Sequence, residues 1–241
     1  KIINLSIVTA IIPTDFKLSR VSPVYKNKGP TTCLKNYRPI SVNCHLAKIM
    51  EKQILIQMMD YLLKHDMITP DQSAYLSKHS TVTSLHKVID DWSQALDDGD
   101  YTCVCLLDIE KCFDTIDHSI LLYKLNHYGF MDIDWFRNYL TNRRQFVKYN
   151  GDTSLTQCTK IGIPQGSVLG PLLFLIFTND LPQSCANSSL NLFADDAITY
   201  KSSTSVYEAY MKIQESLESL QLWYYQNKLS VNIKKCLSMC I

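Results

Sequence analysis

The sequence predicts an α+β fold whose second half runs strand, helix, strand, strand, helix, strand. Three observations carry this. Tyr101 to Ile109 has the length and β-branched content of a buried strand. Leu190 to Tyr200 alternates apolar and polar residues around Asp195-Asp196, as two half-buried strands joined by a hairpin turn would. Helical patterns over about 166–179 and 205–223 separate these strands, once residues 110–160 are set aside as an insertion. A β-α-β-β-α-β order of this kind places its first and third strands side by side at the centre of one sheet. Asp108, at the end of the first strand, is therefore expected beside the turn that carries Asp195 and Asp196.

From the N-terminus, Phe16 to Asn43 holds Pro23, Pro30 and Pro39 among short β-type runs such as Val21 to Tyr25, and reads as irregular strands and loops. From Leu46 to Lys64, Ile49, Met50, Ile54, Met58, Met59, Leu62 and Leu63 recur at helical spacing and predict a core-facing helix. Ser80-Thr81 caps a second helix with a stripe of Leu85, Val88, Ile89, Trp92 and Leu96, ending near Gly99. Asp117 caps a helix over 118–127, Gly129 ends it, and a helix over about 132–141 leads to a hairpin turned by Asn150-Gly151. Gly162 to Ser167 opens the helix running to about Asn179, with Pro171 tolerated near its first turn. Ser205 caps the long helix to Trp223, and Leu229 to Ile241 returns as turn and strand.

With 241 residues and 46% hydrophobic content the chain can bury a sizeable core. No apolar run approaches the roughly 18 residues a membrane helix needs. The start at Lys1 and the stop inside an apolar run read as a fragment. Nine cysteines show no zinc-finger spacing, which favours thiols in a reducing, intracellular setting, nucleus or cytoplasm. The net charge of +1 is unevenly spread: residues 1–65 hold ten Lys/Arg against three Asp/Glu. That excess suits a polyanion partner, although a solvated face produces the same statistic.

Asp90-Asp91 and Asp97-Asp98 lie within or just after a helical pattern and read as solvated surface. Asp195-Asp196 differs because its flanks are apolar. Neighbouring side chains on a straight strand face opposite ways, so a turn is needed to aim both carboxylates at one site. Three converging carboxylates repel, by ~4 kcal/mol per pair at about 4 Å and an effective dielectric near 20, and a divalent cation offsets that cost. Oxygen-only ligands favour Mg²⁺ or Mn²⁺, and two such ions suit phosphoryl transfer.

Five stretches then resemble reverse transcriptase motifs in order and spacing. They are NYRPISV from Asn36 to Val42, Ala47 to Lys52, LLDIEKCFDTIDH from Leu106 to His118, GIPQGSVLGPLLF from Gly162 to Phe174, and Phe193 to Asp196. The first two are similar to the fingers of enzymes from non-LTR (LINE-like) retrotransposons. The resemblance implies a right-hand polymerase with fingers over 1–100 and palm over 101–241, with 119–160 returning to the fingers and the thumb absent. It implies an RNA template, a DNA primer and deoxynucleoside triphosphates as partners, no membrane, and thumb and endonuclease domains elsewhere in a full-length protein.

By the same resemblance, Asp108, Asp195 and Asp196 hold two Mg²⁺ (or Mn²⁺) ions, with the Ile109 carbonyl adding a ligand. Phe113 packs beneath the sugar of the incoming nucleotide, Gln165 and Gly166 line its pocket, Arg38 lies over its base, and Lys26 or Lys28 meets the triphosphate. Lys235 protonates departing pyrophosphate, a task open also to Lys234. In isolation Phe113 reads as core and Gln165 as turn chemistry. Gln72 to Thr81 departs from the family's usual QFGFRxGRST, with Leu76 where an arginine is expected, which bears on template grip. Two other readings stay open: a non-catalytic nucleic-acid-binding relic, and a palm polymerase copying RNA into RNA.

Overall fold

The computed structural model describes residues 1–185 and 187–241. In chain order its elements are α1 (Ile2–Thr9), β1 (Leu18–Tyr25), β2 (Tyr37–Val42), α2 (His45–Lys64), α3 (Thr81–Asp97), β3 (Tyr101–Asp108), α4 (Cys112–Thr115), α5 (His118–His127) and α6 (Ile133–Leu140). There follow β4 (Arg143–Tyr149), β5 (Asp152–Thr153), β6 (Gln157–Thr159), α7 (Gly170–Thr178), β7 (Ser189–Phe193), β8 (Asp196–Ser203), α8 (Val206–Gln226) and β9 (Leu237–Cys240). Two compact units result: residues 1–65 with 113–174, and residues 66–112 with 175–241. No helix among the described residues is long and apolar enough to cross a membrane.

The first unit is built on a sheet of order β2-β1-β4-β5, with β6 also on β4. β1 runs antiparallel to β2, with Tyr25 opposite Tyr37, and parallel to β4, with Leu18 opposite Arg144. Asn150-Gly151 turns the β4–β5 hairpin as expected, with Tyr149 opposite Asp152. Asp117 caps α5 by accepting from the N–H groups of Ser119 and Ile120. In α2 the buried row is Met50, Ile54, Met58 and Leu62, spaced one turn apart, whereas Ile49 and Leu63 of the expected stripe are about half exposed. Ala47 and Glu51 form a second, shorter buried row beside it.

The second unit is a four-stranded sheet of order β7-β8-β3-β9, the order expected for β-α-β-β-α-β with β3 and β8 central. α8 packs on β3 and β8, and α3 packs on β3, β7 and β8. Ser80 and Thr83 form a reciprocal capping box that starts α3. Ser205 stands before α8 but its side chain makes no capping bond. Of the α3 stripe, Val88 is buried against Val104 and Tyr200, while Leu85, Ile89 and Leu96 are about half exposed.

The units do not divide at 100/101, where the sequence reading puts a boundary. Residues 66–100 group with the sheet because α3 packs there. Residues 113–118 group with 1–65 and 161–174, where the carbonyls of Phe113 and Ile116 accept from the N–H groups of Ile163 and Gly162.

One buried carboxylate ties the first unit together. Glu51, 1% exposed, accepts from Tyr139 Oη at 3.0 Å, Val168 N at 2.6 Å and Leu169 N at 3.4 Å, joining α2, α6 and the segment leading into α7. Hydrogen bonds to a charged group contribute about 1.5–3 kcal/mol, and stranding buried donors costs more than the bonds alone. Glu51→Ala should therefore cost about 3 kcal/mol or more, lowering the melting temperature by roughly 6–12 °C for a chain this size. Glu51→Gln, which keeps an acceptor oxygen, should lose less. A shift under about 1 °C for Glu51→Ala in calorimetry would show that the carboxylate does not hold these elements.

Candidate active site

The register of the central strands decides which carboxylates meet. β3 and β8 pair from Tyr101–Ser203 to Asp108–Asp196, so Asp108 and Asp196 stand directly opposite one another at the sheet's end. The Asp108 carbonyl accepts from Asn232 N at 2.7 Å and Glu110 N donates to Ser230 O at 2.8 Å, around a bridge between Ile109 and Val231. With the Asp108 carbonyl turned toward that edge, Asp108 and Asp196 form a non-hydrogen-bonded pair, the kind in which side chains lie closest. The backbone N–H and carbonyl of Ile109 then point to the opposite edge, the side of the β7–β8 hairpin.

The turn itself is Ala194-Asp195, one residue earlier than a turn centred on the aspartate pair: Phe193 pairs with Asp196, which opens β8. Ala194 takes φ 56°, a left-handed conformation that a residue with a Cβ seldom adopts. Gln72 holds it there. Gln72 is 1% exposed, and its Oε1 accepts from Ala194 N at 3.1 Å and Ala74 N at 2.9 Å. Its backbone forms a parallel bridge with Leu192, flanked by Ser73 N to Leu192 O at 3.0 Å and Leu192 N to Asp71 O at 2.7 Å.

Asp108 is answered by Lys235, whose Nζ lies 3.0 Å from Oδ1 and 2.9 Å from Oδ2. That bond raises the Lys235 ammonium above its ordinary range, against some loss from burial. Of the adjacent lysines, it is Lys235 that reaches Asp108. Lys235 gets there because residues 232–236 loop out between the Ile109 bridge and β9, with Lys235 N donating to Asn232 O at 2.9 Å. The carboxyl of Asp196 is pushed above the usual carboxylate range by lost hydration, then by the charges of Asp195 and Asp108, with Lys235 opposing. Lost hydration and the nearby Asp195 charge raise the Tyr75 phenol as well.

Among the described residues no three His, Cys, Asp or Glu side chains stand as a ready-made metal cluster. The expected convergence takes the form of an Asp108–Asp196 pair with Asp195 at the adjoining turn, and Lys235 supplies the cation. The donors are all oxygens of one charge sign, which fits a hard divalent ion in chemistry. The structure sets Asp108 opposite Asp196 and puts Asp195 on the turn before it. Gln72 was not assigned a role, although it opens the stretch from Gln72 to Thr81 whose motif pattern was the available signal.

The nucleotide-site candidates Lys26, Lys28, Arg38, Phe113, Gln165 and Gly166 belong to the other unit. Gln165 donates from Nε2 to Asp114 Oδ1 at 3.0 Å, and its carbonyl accepts from Ser41 N at 2.7 Å, fixing the loop to β2. Gly166 follows at φ 102°, and a Cβ there would lie 2.6 Å from the Ser41 carbonyl oxygen, so the position requires glycine. Arg38 is exposed on β2. Lys26 donates to Lys35 O at 2.9 Å, and Lys28 is exposed. Phe113 is half-buried and stacks on Phe174, centroids 4.9 Å apart at 25°.

Residues 25–240 match the family described as "Reverse transcriptase (RNA-dependent DNA polymerase)". The chain is 30% identical to the probable RNA-directed DNA polymerase from transposon BS of Drosophila melanogaster, over 99% of this chain and 27% of that protein. It is 32% identical to the RNA-directed DNA polymerase from mobile element jockey of Drosophila funebris, over 83% of this chain and 23% of that protein. It thus spans about a quarter of the length of these relatives. Apo telomerase from Candida tropicalis, truncated from its C-terminal domain, shares the fold with a TM-score of 0.66 at 14% identity, over 96% of this chain and 51% of that one. The chain belongs to the reverse transcriptase (RNA-dependent DNA polymerase) family.

Proposed function

We propose that this chain carries out RNA-templated DNA synthesis as the polymerase portion of a longer non-LTR retrotransposon protein, with 1–100 as fingers and 101–241 as palm apart from 119–160. The observation that carries the reading is the β3–β8 register, which sets Asp108 against Asp196 beside the Asp195 turn. Like charges opposed at a sheet's end destabilise the fold, which makes sense where the charges are needed for chemistry. Asp108 and Asp195, with Asp196 and the Ile109 carbonyl contributing, would hold two Mg²⁺ or Mn²⁺ ions. Bound there, such ions supply charge neutralisation for phosphoryl transfer.

The chain's own groups would do the rest. The primer 3′-hydroxyl would release its proton to solvent as its oxygen attacks the α-phosphorus of a deoxynucleoside triphosphate, a new P–O bond forming as the bond to pyrophosphate breaks. Lys235, an ammonium already oriented by Asp108, would give its proton to the departing pyrophosphate. Arg38 and Lys26 or Lys28 would meet the nucleotide's base and phosphates, and Gln165 with Gly166 would line its pocket. Phe113, held by Phe174, would wall the sugar. Such work belongs inside the cell, in nucleus or cytoplasm.

Primer extension on RNA and DNA templates, using this chain and the longer natural protein, tests the reading. Asp108→Asn and Asp195→Asn should each lose more than the roughly 10 to 100-fold typical of residues that merely support a metal ligand. Undiminished extension by either variant would refute the assignment, and products containing only ribonucleotides would favour an RNA polymerase. For sugar choice, a wall that rejects one additional hydroxyl by overpacking contributes ~1–3 kcal/mol, about 5 to 150-fold. Phe113→Val should raise ribonucleotide use relative to deoxyribonucleotide by about that factor in kcat/KM. A lowered melting temperature with an unchanged ratio would mean that Phe113 only packs against Phe174.

A further inference from the structure

In the first unit, the period-two alternation of the β2-β1-β4 sheet brings Ser19, Ser41, Arg143 and Gln145 to one face. A cavity of about 350 Å³ opens on that face, lined by Ser19, Ser41, Arg143 and Gln145 and by the segment from Thr159 to Gln165. Arg143 is 3% exposed. Its Nη1 donates to Tyr139 O at 3.2 Å, and its guanidinium carbon lies 5.0 Å from the centre of the Tyr139 ring. Its Nε and Nη2 are buried and have no partner among the described residues. These two nitrogens form the side-on fork that grips two oxygens of one oxyanion.

Asn43, 2% exposed, spends its Oδ1 on the Ser19 hydroxyl at 2.7 Å, and its Nδ2 is likewise buried without a partner among the described residues. Lys17 is 4% exposed, and burial together with the Arg143 charge holds its ammonium below the usual range. The unmatched atoms here are therefore all donors. One carboxylate, Asp114, lines the cavity, and its Oδ1 accepts from Gln165 Nε2 at 3.0 Å. Exposed Arg144 and Lys160 add positive charge to the cavity's lining.

We propose that this cavity binds a phosphate group, monoester or diester, with Arg143 as the bidentate anchor and Arg144 and Lys160 of its lining adding positive charge. A planar carboxylate would spend both oxygens on the fork, whereas a tetrahedral phosphate has further oxygens for the other groups lining the cavity. The phosphate comes either from a nucleic-acid backbone or from a free nucleotide. The site stands on donor geometry in the first unit and does not depend on the carboxylate chemistry of the second.

Binding is the readout that tests it. Melting is measured in inorganic phosphate against chloride at matched ionic strength, for wild type and Arg143→Met, which keeps the volume and removes the unmatched N–H groups. Phosphate stabilises folded proteins generally, so the readout is the difference: it should raise the wild-type melting temperature by more than that of Arg143→Met. If Arg143→Met does not fold, Arg143→Lys keeps the charge without the fork and should show a smaller phosphate effect than wild type. Single-stranded RNA binding separates the sources. A backbone phosphodiester in the cavity predicts that Arg143→Met takes about 0.7 off the slope of log affinity against log salt. A free nucleotide predicts an unchanged slope and about tenfold weaker deoxynucleotide binding. The proposal is overturned if phosphate raises the melting temperatures of wild type and variant equally and the variant matches wild type in RNA and nucleotide binding, the fork then being met by water.

Discussion

The pairing of two like-charged side chains across β3 and β8 is the constraint on which the second unit depends. Once Asp108 and Asp196 face each other in a non-hydrogen-bonded pair, the sheet's end carries repulsion that must be offset locally. Three features bear on it. Lys235 is brought to Asp108 by a loop between the Ile109 bridge and β9, Asp196 is the exposed first residue of a central strand, and Gln72 fixes the strained turn that carries Asp195. Each costs the fold something: an excised loop, a left-handed alanine, a buried glutamine with one amide hydrogen-bond donor unused. Strain and unmatched charge gathered at one sheet end are what a site for charged chemistry looks like before its substrates arrive.

Much of this was legible in the sequence. Period-two alternation and turn residues located β3, β7 and β8, and the strand order followed from the order of strands and helices along the chain. The Asp195-Asp196 pair stood out because its flanks were apolar, whereas Asp90-Asp91 lies on α3, where Asp91 accepts from the Tyr200 hydroxyl. The turn position was off by one residue, because hairpin register depends on which residue takes the positive φ, and alanine gives no hint of that.

What sequence could not supply was tertiary accounting. Helical stripes such as Leu85, Ile89 and Leu96 overstate burial, since the width of a buried face is set by the partner surface rather than by the helix. Gln72 looks like ordinary loop polarity until its carbonyl oxygen is seen on Ala194 N. Glu51 looks like a surface residue on an amphipathic helix, yet it is a core acceptor for three donors. Arg143 reads as one more charge in a basic hairpin, and only its burial separates it from Arg144.

Lys235 Nζ sits on both carboxylate oxygens of Asp108, so a divalent cation proposed for Asp108 should compete with the lysine for it. Mn²⁺ titration followed by electron paramagnetic resonance measures this directly, without reference to synthesis. Mn²⁺ should bind tighter to Lys235→Met than to wild type, because a competing cation is removed, and that binding should be lost in Asp108→Asn. Equal Mn²⁺ affinity in all three proteins would contradict it.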